Sequence, residues 1–155
     1  MVPARVLLML FKYSIIVALL ASHASPADTG SAVMVNSGST NTPGFKIVVQ
    51  SEGAAEYTPM PRAHSPSEGQ HVAAPMKRKL APALAHRLFS DLESARPFSE
   101  LPRPTCMKSV SFGSRLTIQF KGDETPDLNC PAGQSAKLAA LIEDAKQIVA
   151  VFSAH

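Results

Sequence analysis

The chain has 155 residues and a mass of 16.5 kDa, room for one domain but not for two of ordinary size. With 17% charged and 45% apolar residues it is not a disordered polyelectrolyte, and 8 glycines beside 13 prolines exclude a collagen-like repeat. A formal charge of +3 is too small to point to an electrostatic partner.

Residues 1–24 read as an export signal. Arg5 gives a short positive start, and an apolar run from Val6 is broken by Lys12 and resumes from Ile15 to Ala21. Ser22, His23 and Ala24 then place small residues at −3 and −1 of a cleavage site between Ala24 and Ser25. The alternative is an uncleaved membrane anchor. Lys12 argues against it, because a cation at the bilayer centre costs about 2.5–3.5 kcal/mol. Cleavage removes Arg5 and Lys12 and leaves a formal charge of +1, so nucleic-acid binding loses its electrostatic support. Membrane contact is then confined to the signal segment during export, and the expected location is periplasmic or extracellular.

Residues 25–44 are rich in Ser, Thr, Gly, Asn and Ala and are expected to form a flexible leader, with Val33, Met34 and Val35 as a short apolar patch. From Phe45 the pattern changes. Phe45, Ile47 and Val49 alternate as one face of a strand. A three-residue loop ending at Gly53 would set Val49 opposite Ala55 and Ile47 opposite Tyr57. Residues 58–70 hold Pro59, Pro61 and Pro66 and read as a long loop. Residues 71–80 are a third strand interrupted near Pro75, and Lys77, Arg78 and Lys79 suit a sheet edge, where charge discourages association.

Pro82 fits the first turn of a helix carrying Leu84, Leu88, Leu92 and Ala95, with Arg87 and Asp91 four apart and Pro97 as its stop. Val110 and Phe112, then Leu116, Ile118 and Phe120, alternate as a hairpin around Gly113, Ser114 and Arg115. In that register Phe112 pairs with Leu116, and Cys106 lies across from Gly122. Ser135 is the expected N-cap of a final helix with Leu138, Leu141, Ile142, Ala145, Ile148, Val149 and Phe152 as its apolar stripe. Lys137, Glu143, Asp144 and Lys146 fall on its expected wet side.

Strands, helix, strands, helix give a single two-layer α+β domain over residues 45–155. It has a mostly antiparallel sheet of about five strands, with two helices packed on one face. In an oxidising compartment Cys106 and Cys130 are expected to form a structural disulfide. The alternative, a redox pair, normally has its cysteines much closer in sequence. For that bridge to close, residues 123–129 must curl back toward Cys106.

The order of several marks resembles a family of proteins. These are Phe45-Lys-Ile-Val-Val with Gly53 and Tyr57, the Leu80-Ala-Pro82 helix entry, Leu88-Phe-Ser-Asp-Leu92, Cys106-Met-Lys-Ser-Val-Ser-Phe-Gly113 and Pro126-Asp-Leu-Asn-Cys-Pro131. The family is an uncharacterised one of short exported bacterial proteins, a domain of unknown function with a β-rich start, two helices and one cysteine pair. The resemblance implies a fold and an exported location, and no catalytic residue or cofactor.

Candidate reactive groups are few. His64, His71 and His86 lack the spacing of a metal site, and no cofactor is expected. Asp123, Glu124 and Asp127 cluster around Thr125 and match no calcium loop, so a solvated turn is the simpler reading. The expected function is a non-catalytic domain that binds a protein or small-ligand partner or supports the cell envelope, with loops 58–70 and 97–105 as contact surfaces. The first alternative is a small exported hydrolase using His86 or His71 as base. The second is a protease-inhibitor-like protein presenting the loop from Pro59 to Gln70.

Overall fold

The computed structural model describes residues 30–62, 73–109 and 111–153. The expected export signal over residues 1–24, the cleavage site expected between Ala24 and Ser25, His64 and His71 lie outside the described residues. Among the described residues six strands form one antiparallel sheet: β1 (Ser31–Asn36), β2 (Pro43–Gln50), β3 (Ala54–Arg62), β4 (Met76–Lys79), β5 (Leu116–Phe120) and β6 (Asp123–Glu124). Their order across the sheet is β4-β3-β2-β1-β5-β6. Helices α1 (Pro82–Ala95) and α2 (Ala136–Ser153) complete the α+β fold. Among the described residues no helix is long and apolar enough to cross a membrane.

The β2–β3 hairpin has the register that the alternation predicts. Val49 pairs with Ala55 and Ile47 with Tyr57, and Gly53 closes the loop at φ +90°, a region L-residues with a Cβ rarely enter. β4 lies at the sheet edge, and Lys77 forms an ion pair with Glu56 on the neighbouring strand. Pro82 sits in the first turn of α1, and the Ser135 hydroxyl accepts from the Leu138 N–H (3.3 Å) at the start of α2.

Three expectations are corrected. First, residues 31–36 are not leader but a strand near the middle of the sheet, paired on one side with β2 and on the other with β5. Ala32 and Met34 are fully buried, while Val33 and Val35 point to the opposite face. Because β1 is apolar on both faces and short, it has no period-2 signature, and its polar flanks masked it. The domain therefore includes the residues from Ser31 onward, ahead of Phe45.

Second, the hairpin expected around Gly113 is absent, and no strand is present between Leu101 and Leu116 among the described residues. β5 pairs instead with β1, placing Ile118 opposite Met34, and the tight turn at Lys121 and Gly122 returns the chain as β6. A central strand with buried Ala32 and Met34 offers β5 more apolar contact than Phe112 could. Third, Cys106 is not across from Gly122. Residues 125–128 run back beside β5, with the Thr125 N–H donating to Ile118 O (3.0 Å) and the Leu128 N–H to Leu116 O (2.8 Å). That path delivers Cys130 to the far end of β5 from Gly122.

The core lies between the helices and one sheet face. Met34, Ile47, Val49 and Ile118 from the sheet meet Leu88 and Leu92 of α1 and Leu138, Leu141 and Ile148 of α2, all fully buried. Tyr57 stacks between Phe45 and Phe152, with ring centroids at 5.4 and 5.5 Å, and links the outer sheet to the end of α2.

Candidate functional site

The segment from Leu101 to Arg115 joins the helical layer to β5 without regular structure among its described residues, yet its backbone is held from several sides. Phe98, in a 3-10 turn (Phe98–Glu100), and Leu101 are buried and fix its beginning. The expected contact loop 97–105 therefore starts in the core. Cys106 is joined to Cys130 by a disulfide with Cα atoms 5.6 Å apart. The Lys108 ammonium donates to the Asp127 carboxylate and to Ser114 O. Ser111 O accepts from the buried Ser39 hydroxyl (2.8 Å) and from the Asn41 N–H (3.0 Å). Ser37 N–H donates to Arg115 O, and the Arg115 N–H donates to the Ser37 hydroxyl (both 2.9 Å).

Within the segment the chain doubles back, and the Gly113 N–H donates to Ser109 O at 2.6 Å. A Cβ at Gly113 would stand 2.5 Å from Ser109 O and 2.6 Å from Lys108 Cβ, so only glycine permits the approach. Asp127 is the anchor of this region. Burial pulls its carboxyl upward, but Lys108 and the N–H groups of Asn129 and Leu116 outweigh that and hold it below the ordinary carboxylate pKa.

On this held backbone two large apolar side chains face solvent. Met107 is completely exposed, at 103% of its reference accessibility, and Phe112 is 69% exposed. They are the exposed large hydrophobic residues among the described ones. Scattered apolar residues are normal on surfaces, but two on one anchored loop make a preformed apolar display. Neither exposure follows from the sequence pattern: Phe112 fits the alternation of a hairpin strand, and Met107 carries no periodic signal. The legible clue was an isolated aromatic in a stretch of Ser, Lys and Gly next to a cysteine.

The carboxylates around Thr125 are engaged with internal donors. Asp123 accepts from the Phe98 N–H (2.8 Å) and the Glu124 N–H (3.0 Å), and Glu124 from Arg115 and Gln119. Among the described residues no group of three His, Cys, Asp or Glu side chains is placed to hold a metal.

His86 is exposed on α1, beside a groove that also holds Ser90, Glu93 and Glu52. No hydrogen bond joins it to these groups among the described residues. The loop expected from Pro59 to Gln70 is strand as far as Arg62, and its remainder lies outside the described residues.

Asp144, expected on the wet side of α2, is instead fully buried between the helices. Its position was legible in the spacing, three residues after Leu141 and four before Ile148, in the middle of the apolar stripe. Arg87 of α1, expected to pair with Asp91, donates instead to Asp144 Oδ1 at 2.6 Å and to Gln147 at 2.7 Å. Asp144 Oδ2 has no hydrogen-bond partner among the described residues. Burial raises the Asp144 carboxyl pKa, Arg87 opposes the rise, and the nearby Asp91 carboxyl adds to it. Arg87 is held charged by the same contact, but it is charged at any accessible pH, so the balance at Asp144 governs the pH response.

A carboxyl raised on folding stabilises the fold fully below its unfolded pKa, near 3.8, and loses that contribution as pH rises through its folded pKa. Asp144→Asn keeps an acceptor for Arg87 and supplies an N–H donor toward Asp91. Relative to the parent chain, the variant is expected to gain stability as pH rises from acid to neutral, because the amide brings no charge into the buried site. Thermal melts of both proteins across that range measure it, and a constant difference would refute the assignment.

No model of a protein family matches this chain, and no curated protein matches it.

Proposed function

We propose that this is an exported, non-catalytic binding protein that engages a protein partner through the loop carrying Met107 and Phe112. The observation that carries the reading is the pairing of exposed Met107 and Phe112 side chains with a tethered backbone. A contact loop that is already ordered loses little conformational entropy on binding, and burying a Met or Phe side chain contributes about 1.5–3 kcal/mol each. Export is supported by the signal pattern of residues 1–24, by the disulfide and by the exported family that the sequence resembles.

The test compares the mature domain with a Met107→Ser, Phe112→Ser double variant as bait against the envelope fraction of the native cell. Both side chains are exposed, so the variant is expected to melt within about 0.5 kcal/mol of the parent. A specific partner should bind the parent at least about tenfold more tightly than the variant. Equal binding to both would overturn the assignment of the surface. Intact mass of the exported chain is expected to correspond to a start at Ser25.

A further inference from the structure

We infer that Met107 is an oxidation site through which peroxide turns the exposed loop from apolar to polar. The inference rests on the contact-surface reading only for its consequence, not for its chemistry. Both cysteines of the chain are joined to each other, so no thiol competes for oxidant. The thioethers are the remaining soft sulfur nucleophiles. Among the described residues Met34 is fully buried in the core, Met60 and Met76 are partly covered, and Met107 stands wholly in solvent. A peroxide reaches Met107 in the native fold, whereas Met34 reacts only after the sheet opens.

The step balances with peroxide as the oxidant. The thioether sulfur attacks the distal peroxide oxygen, the O–O bond breaks, an S–O bond forms and water leaves after proton transfer. Sulfur is oxidised by two electrons and the peroxide is reduced. The product is a sulfoxide, a strong hydrogen-bond acceptor where an apolar contact stood. Reversal needs a sulfoxide reductase, in which two thiols become a disulfide and the oxygen leaves as water.

The anchoring of the loop makes the change local. Lys108, Ser111 and Arg115 hold the backbone through partners that do not involve the Met107 side chain. Oxidation therefore alters the display and leaves the fold in place.

The experiment treats the folded protein with limiting hydrogen peroxide, quenches with free methionine and maps added oxygen by peptide. Met107 is expected to oxidise more than about a hundredfold faster than Met34 and several-fold faster than Met60 and Met76, following their access to solvent. Retention on a phenyl resin is then compared before and after treatment. The oxidised parent should elute earlier, while Met107→Leu treated identically should keep its retention. Equal oxidation of Met60 or Met76, or unchanged retention of protein oxidised at Met107, overturns the inference. If these results hold but the double serine variant still captures the partner, the contact-surface reading fails and the oxidation site stands.

Discussion

A chain shortened to begin at Phe45 is expected not to fold, whereas one beginning at Ser25 folds cooperatively. β1 is hydrogen-bonded to β2 along one edge and to β5 along the other, so its loss separates the β2–β3–β4 unit from β5 and β6. Met34 and Ala32 leave the core with it, and a Met-sized cavity alone costs about 2–5 kcal/mol. Loss of two strand ladders and the exposure of two new edges are added to that. The total exceeds the roughly 5–15 kcal/mol by which domains of this size are stable. Far-UV circular dichroism and amide dispersion in NMR spectra distinguish the outcomes. A well-dispersed spectrum from the shorter chain would show that β1 is dispensable.

The second large effect concerns the disulfide. Replacing both Cys106 and Cys130 by Ser is expected to cost about 3.5 kcal/mol, from the chain entropy that a loop of about 25 residues releases in the unfolded state. For a domain of this length that lowers Tm by about 10–15 °C. The sheet should survive, because Lys108 still reaches Asp127 and Ser111 still accepts from Ser39. The loss should therefore appear in denaturant midpoints and in the hydrogen exchange of residues near 106–115 before it appears in β-strand content. A variant as stable as the parent would mean that these polar contacts alone order the loop.

Where the sequence spoke clearly, it did so through period and punctuation. The β2–β3 hairpin was legible because Ile47, Val49, Ala55 and Tyr57 alternate around a glycine able to take positive φ. α1 was legible from Pro82 and four leucine-or-alanine positions at helical spacing, and α2 from its stripe and the Ser135 cap. β4 was legible as an edge from its three cations.

The errors share one cause. β1, β5 and the segment between Leu101 and Leu116 depend on which distant strand is available, and local pattern carries no such information. Phe112 alternates with its neighbours as a strand residue does, but Met34 gives β5 a buried partner from residues 31–36, and Phe112 is left in solvent.

For the candidate surface, sequence supplied the ingredients but not the arrangement. The pairing of the two cysteines was expected from reading residues 1–24 as an export signal, and the disulfide is present. That Met107 and Phe112 stand exposed did not follow from it, because exposure depends on what the rest of the chain covers. Asp144 is the intermediate case, since its place in the helical stripe was readable while its ion pair with Arg87 required the two helices to meet.

By itself the sequence determined the helices, one hairpin, the α+β class and the cysteine pair, because each rests on contacts within a short stretch or on a residue's own chemistry. Only the tertiary structure decided the strand order, the place of β1 inside the sheet, the burial of Asp144 and the outward display of Met107 and Phe112. Those depend on which surfaces far apart in the chain come to cover one another, where burial of apolar area outweighs local preference.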